Sequence, residues 1–473
     1  MLFNSLEFAL FFVATLCGYY VLARKPQNIW LLVASYMFYG WWDWRFLSLI
    51  MLSTVVDFNV AQYIEKTVNA TKRKRLLFVS LVANLGLLAT FKYFNFFIDS
   101  FVSLGASVGL NFDTPALRLV PPVGISFYTF QTLSYTIDVY RRNARAERSF
   151  FTFALFVSYF PQLVAGPIER AQRLLPQLHK SRRVTLDYLS GGLLLILIGL
   201  FKKVVIADTA GIQVDDIFSD PAGYTTWTLW KGAILFAIQI YGDFSGYSNM
   251  ARGISLLLGI RLVENFKTPY FARNVSEFWR RWHISLSQWL RDYLYISLGG
   301  NRGGAAKTYR NLMLTMLLGG LWHGASWTFV IWGFLHGLYL VVHQWWERLW
   351  QIPSLVRLPN IPGVVSWLLS IGLTFSVVVI AFVIFRAESI GDAWIYIVGM
   401  FEGRGEIRIS DIAKPAILVL ALLPIDIMQY YNKGDLLAVR WLPLLLRAPL
   451  YAGMFLAVLL VSNNEIPFIY FQF

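Results

Sequence analysis

The chain has 473 residues, a net charge of +14, 57% hydrophobic residues and only 14% charged ones, with a mean hydropathy of +0.55. A soluble chain carries about a quarter charged residues, so a soluble protein with one anchor is excluded and a polytopic membrane protein remains. The basic residues fall in short loops between apolar runs, which is a topology signal and not the footprint of a nucleic-acid partner; the single cysteine, Cys17, excludes an intramolecular disulfide and a cysteine-based metal site.

The first apolar run, Phe8 to Leu22, follows Glu7 and precedes Arg24 and Lys25. That order of charges is not that of a cleaved signal and predicts a permanent span with the N-terminus outside the cytoplasm. About a dozen spans are expected, near 6–23, 28–42, 45–63, 76–97, 120–138, 151–168, 189–208, 226–241, 312–340, 365–386, 414–430 and 447–462, some too short or too broken to cross fully. Linkers are short, so residues 1–473 read as one integral-membrane domain.

Three loops carry clusters of basic residues. Lys66, Lys72, Arg73, Lys74 and Arg75 form the first, Arg141, Arg142, Arg145 and Arg148 the second, and Arg170, Arg173, Lys180, Arg182 and Arg183 the third. All three should face the cytoplasm. Only the 151–168 run separates the second from the third, and it is interrupted by Pro161 and by Ala165-Gly166-Pro167. A re-entrant segment that returns to the side it left satisfies both facts, with its broken backbone buried by protein or lining a cavity. Asp57, Lys92, Asp138, Lys202, Lys203 and Asp243 sit in apolar surroundings, where each ion would cost about 2.5–3.5 kcal/mol at a helix centre. Most are expected near span ends or paired with one another.

Between residues 261 and 311 the chain turns basic, as a cytoplasmic-face amphipathic segment containing SEFWRRWHISLSQWLRDYLYISLGGNRGG. Placed on one helix from Ser276, Trp279, Trp282, Leu286, Trp289 and Tyr293 make an apolar stripe, and Arg280, His283, Ser287 and Arg291 a polar one. Gly299, Gly300, Gly303 and Gly304 then make a flexible turn around Asn301 and Arg302. Such a helix fits anionic lipid headgroups; it equally fits a phosphate-bearing donor held by arginine beside a histidine.

Next comes LGGLWHGASW, inside an uncharged run from Leu312 to Leu335. Gly320 with Gly324, and Gly333 with Gly337, have the spacing that lets helices approach closely, and would leave room beside His323 for a narrow substrate. A desolvated imidazole stays neutral, the form a general base needs; a structural histidine bonded to a carbonyl is the competing reading. No metal is expected, because His179, His283, His323, His336 and His343 lack paired ligand spacing and His336, thirteen residues after His323, would not share its helix face.

FWRRWHISLSQWLRDYLYISLGGNRG and MLLGGLWHGASWTFVIWGFLHG closely resemble the membrane-bound O-acyltransferase family, in its bacterial alginate O-acetylation branch. The resemblance runs on through PPVGISFYTFQTLSYTIDVYR, FPQLVAGPIER, FKKVVIADT and YGDFSGYSNMARGISLLLGIRL and covers roughly residues 1–400. It implies an all-α polytopic fold, a ring of about a dozen transmembrane and re-entrant helices around a central tunnel, with amphipathic interfacial helices. It implies His323 as the catalytic histidine and His283 as a second polar residue of the site; the basic segment itself offers Arg280, Arg281, Arg291 and Arg302 as candidates for holding the donor. Acetyl-CoA is the implied donor substrate, with no permanently bound cofactor. Acetyl groups would cross the bacterial inner membrane to a periplasmic esterase-like acetyltransferase subunit that places them on an exopolysaccharide such as alginate. Peptidoglycan O-acetylation and teichoic-acid D-alanyl transfer are the nearest variants; a non-enzymatic proton-coupled transporter using His323 and Asp243 is the alternative of a different class. The tail PFIYFQF, within the aromatic end 463–473, places Phe468, Tyr470 and Phe473 in an F-x-Y-x-x-F pattern. It resembles a C-terminal motif of this branch and of the small subunit of the D-alanylation system, in which the tyrosine is a proposed acyl relay; an aromatic interfacial belt is the plainer reading.

Overall fold

The computed structural model of the chain describes residues 1–110, 112, 118–164, 166–350, 363–432 and 434–461. Phe468, Tyr470 and Phe473 lie outside the described residues. Among the described residues there are helices and turns and no strand, so the all-α expectation holds.

The helices run in chain order as α1 (Leu6–Val21), α2 (Arg24–Asp43), α3 (Leu47–Lys66), α4 (Ala70–Leu88), α5 (Phe94–Ser107), α6 (Ile125–Tyr140), α7 (Phe150–Ser158), α8 (Phe160–Leu163), α9 (Ala171–His179) and α10 (Leu186–Leu200). They continue as α11 (Thr209–Ser219), α12 (Thr226–Leu257), α13 (Val275–Arg281), α14 (Ile284–Trp289), α15 (Ala305–His323), α16 (Trp327–Trp350), α17 (Gly363–Arg386), α18 (Ile390–Gly399), α19 (Ile409–Tyr431) and α20 (Leu444–Val461). Side chains placed just ahead of the first turn start several of them: Ser5 accepts from the Phe8 N–H, Asn69 from Lys72, Ser149 from Thr152 and Asn274 from Glu277.

Among the described residues, five helical stretches are long and apolar enough to cross a membrane: Arg24–Lys66, Ala70–Ser107, Leu186–Ser219, Gly363–Arg386 and Leu444–Val461. Together they make the chain a polytopic membrane protein. Two of the spans read from hydropathy are broken. Residues 312–340 divide at Gly324 into α15 and α16, and residues 151–168 divide at Tyr159 into α7 and α8.

Contacts divide the chain into two compact units, residues 1–193 with 251–263, and residues 194–250 with 264–473. In the first unit the three basic loops meet at one end. Arg73 donates to the Tyr140 carbonyl at 2.6 Å, Gln62 to the Glu147 carbonyl at 2.5 Å, Gln172 to the Asn143 carbonyl at 3.0 Å, and His179 bonds Glu147 at 2.6 Å. The segment from α7 to α9 therefore returns to the end it left, as the charge pattern required. α7 has nine residues, about 14 Å of rise against an apolar thickness of about 30 Å. Its interrupted backbone is buried and satisfied: the amides of Gln131 and Gln162 donate to the Phe156 carbonyl at 2.5 and 2.7 Å.

The ionisable residues of the interior have partners. Asp57 accepts from Ser80, Asn84 and Thr136; Asp138 accepts from Gln172 at 3.4 Å and Lys92 reaches Ser126 at 3.4 Å. In the second unit a π-helical turn, Phe201–Asp208, carries Lys203 to within 2.7 Å of Asp208 and 2.8 Å of Asp243, while Lys202 lies 3.6 Å from Asp426. The wider turn of a π-helix sets both lysines inward, each with 1% of its side chain exposed.

Candidate active site

Every candidate on described residues belongs to the second unit. The basic segment is not the single helix expected from Ser276. It breaks at Trp282 and His283 into α13 and α14, and closes with a π-helical turn over Leu290–Tyr295. At the break His283 has φ 40° and ψ 56°, a left-handed conformation that costs a non-glycine residue about 1–3 kcal/mol and persists only where its surroundings impose it. The inversion takes His283 off the polar stripe. Its ring is fully buried, 4.6 Å from that of Phe244 and 6.4 Å from that of Phe266 between centroids. His283 lies outside the spanning helices, and burial pushes its pKa down to about 3, leaving it neutral at physiological pH.

His323 is the last residue of α15, 4% exposed, where extended Gly324 ends the helix. Trp322 and Trp332 lie 5.0 Å from its ring, Phe385 5.5 Å and His283 6.4 Å. With about 1.1 Å from centroid to nitrogen, the two imidazoles keep their nitrogens at least about 4 Å apart, beyond a direct hydrogen bond.

Of the two roles expected of the glycines around His323, close helix approach and clearance for a substrate, the structure shows the first. A Cβ on Gly320 would stand 2.2 Å from the Phe329 carbonyl oxygen and 3.0 Å from the Cα of Gly333, and one on Gly324 2.0 Å from the Phe329 ring. The space these glycines free is filled by α16 and by Phe329, so it is not clearance for a substrate. Because the chain reverses at 324–326, His336 also joins the cluster that same-helix geometry had excluded it from. Its ring is fully buried, 4.7 Å from Trp332 and 5.1 Å from Trp279.

The four arginines separate. Arg280 and Arg291 line a cavity of about 440 Å³ with Ser287, Gln288 and Tyr295, and Trp279 forms part of its wall toward His336. Arg281 is held elsewhere, 2.7 Å from Glu277 and 2.9 Å from the Thr268 hydroxyl. Burial pushes the Glu277 carboxyl up, but the Arg273 N–H and the Arg281 guanidinium outweigh it and hold that carboxyl below its usual value. Arg302 is exposed on the turn where Gly299, Gly300, Gly303 and Gly304 all take positive φ, and it is not among the residues lining the cavity.

The contributions of His336, Asn265 and Phe266 were not read from the sequence. His336 was visible only as a histidine on the wrong face. Asn265 and Phe266 carried no signal, since their neighbours are set by a fold-back of the chain.

Two buried imidazoles with ring centroids 6.4 Å apart, and an arginine-lined cavity in the same unit of a polytopic helical chain, are an arrangement that a group-transfer enzyme can use. The family model for the membrane-bound O-acyltransferase family, MBOAT, matches residues 38–383, and the chain belongs to that family; it is an O-acyltransferase. It is 43% identical over 426 residues to the probable alginate O-acetylase AlgI of Azotobacter vinelandii, covering 89% of this chain and 82% of that one. It is 39% identical over 501 residues to that of Pseudomonas putida, covering both chains in full, and 38% identical over 448 residues to the peptidoglycan O-acetyltransferase of Helicobacter pylori, covering 88% and 82%.

Proposed function

We propose that this O-acyltransferase takes acetyl groups from cytoplasmic acetyl-CoA and passes them across the bacterial inner membrane for O-acetylation of an exopolysaccharide of the alginate type. The observation that carries the reading is the pair of buried imidazoles, His283 and His323, 6.4 Å apart between centroids. His323 serves as general base: it takes the proton of an acceptor hydroxyl whose oxygen attacks the thioester carbon, the carbon–sulfur bond breaks, and the proton passes to the departing coenzyme A thiolate. His283 orients the thioester carbonyl and stabilises the negative charge that develops on its oxygen. Arg280 and Arg291 hold the donor's phosphates. The basic loops face the cytoplasm and the N-terminus the periplasm, the helices ring a tunnel in which donor and acceptor meet, and an esterase-like periplasmic subunit receives the acetyl group, with Tyr470 as a candidate relay.

The test is incubation of the purified chain with radiolabelled acetyl-CoA, with and without candidate glycans and the periplasmic partner. His323→Ala is expected to lower transfer by about 10²-fold or more at unchanged expression, and full transfer by that variant sinks the reading. Label on the protein at Tyr470 supports the relay; transfer by Tyr470→Phe at the native rate removes it. Identity to the peptidoglycan O-acetyltransferase of Helicobacter pylori supports a second reading, in which peptidoglycan is the acceptor; label on peptidoglycan and not on exopolysaccharide selects it.

A further inference from the structure

A helix running on from Ser276 would bond the Ile284 N–H to the Arg280 carbonyl and the Ser285 N–H to the Arg281 carbonyl. Neither bond forms. The Ile284 N–H donates instead to the Asn265 carbonyl at 2.9 Å, and the Ser285 N–H and hydroxyl donate to Asn265 Oδ1 at 3.3 and 2.7 Å. The Arg281 carbonyl accepts from the Lys267 N–H at 3.0 Å, and helical bonding resumes only with the Ser287 N–H on the His283 carbonyl at 3.0 Å. Between these two anchors Phe266 lays its ring 5.1 Å from that of Trp282 and 6.4 Å from that of His283, the latter pair 18° from parallel. Three consecutive residues thus bracket the inverted histidine. Asn265, 1% exposed, supplies both acceptors on its C-terminal side, and because a backbone N–H can only donate, the side-chain atom facing Ser285 is the amide oxygen.

We propose that Asn265 is a positioning residue for His283: it supplies the acceptors that hold residues 282–285 out of a continuous helix, and so keeps the imidazole turned toward His323. The competing conformation is the one the 3.6-residue periodicity favours. In it His283 joins Arg280, Ser287 and Arg291, whose side chains line the 440 Å³ cavity, and the imidazole leaves the aromatic cluster. The backbone carbonyl of Asn265 survives substitution, but the amide oxygen does not, and with it go two of the three bonds.

The experiment uses the full-length chain in detergent micelles, with Cys17→Ser removing the one native thiol and His283→Cys supplying a probe. Labelling by a water-soluble maleimide is expected to be slow with Asn265 present, at least about 10-fold faster in Asn265→Ala, and close to the slow rate in Asn265→Asp, which keeps the acceptor oxygen. An unchanged rate in Asn265→Ala overturns the proposal. On the otherwise native chain, Asn265→Ala is expected to lower kcat for acetyl transfer about 10²-fold with KM for acetyl-CoA nearly unchanged, and Asn265→Asp to restore most of it. This activity arm rests on the role given to His283 above; faster labelling with full activity keeps Asn265 as the positioning residue and overturns that role. Should Asn265→Ala not accumulate, Ser285→Ala, which removes only the hydroxyl bond, is read in the same way: an intermediate labelling rate supports the proposal and an unchanged one counts against it.

Discussion

Arg280, Arg281, Arg291 and Arg302 have the same chemistry and lie in one basic segment, yet the fold gives them different surroundings. Arg281, a donor-holding candidate by sequence, is tied to Glu277 four residues before it, at 2.7 Å. Arg280 and Arg291 turn instead into the cavity beside Trp279. If that cavity takes the donor, Arg280→Ala and Arg291→Ala each raise KM for acetyl-CoA about 10-fold, equivalent to about 1.4 kcal/mol of lost binding, while leaving kcat within about twofold. Arg302→Ala, exposed and outside the lining, leaves both constants unchanged. Initial rates at varied acetyl-CoA separate the two outcomes, and an equal effect at all three positions removes the cavity as the donor site.

The hairpin of α15 and α16 makes a stability argument that the sequence foreshadowed only in part. A Cβ on Gly320 meets a backbone carbonyl at 2.2 Å and one on Gly333 meets the Met316 carbonyl at 2.4 Å, so neither clash can be relieved by a side-chain rotation. Gly320→Ala and Gly333→Ala are expected to force the helices apart and cost about 2 kcal/mol or more, whereas Gly372→Ala, with nothing within 4 Å, is neutral. Thermal unfolding in detergent distinguishes them, and a Gly320→Ala variant as stable as Gly372→Ala contradicts this packing. Small-xxx-small spacing made the close approach legible. What it did not reveal is the reversal at residues 324–326, since the uncharged run from 312 to 335 continues without interruption past it. The break at His283 was hidden for a related reason. Its periodicity is satisfied by a continuous helix, and the residue that overrides it, Asn265, lies 18 positions upstream with no local mark of its partnership. His323 was legible because it stands alone among apolar residues; His336 was not, because its place depends on the same reversal.

At the scale of the whole molecule, the positive charge of +14 bears on topology. In the first unit the end that gathers the loops at 66–75, 141–148 and 170–183 also holds the start of α2, where the Asn28 amide donates to the Leu178 carbonyl at 3.0 Å and Arg24 donates to the His179 carbonyl. α1 runs back along α2, with Trp30 donating to the Thr15 carbonyl at 2.9 Å and the Phe3 ring 5.8 Å from that of Phe38, so the start of the chain lies at the opposite end. In the proposed orientation basic residues concentrate on the cytoplasmic side, with every one of these loops facing the cytoplasm and the N-terminus the periplasm. Single cysteines at exposed Lys74, Arg141 and Lys180, in a Cys17→Ser background, are therefore expected to react with an impermeant maleimide only after the membrane is opened, and a cysteine at Asn4 before. The decisive position is Lys180. A fully crossing 151–168 segment would put it on the side opposite Arg141, and its labelling in intact cells would show that the buried, interrupted backbone of α7 and α8 spans the membrane after all.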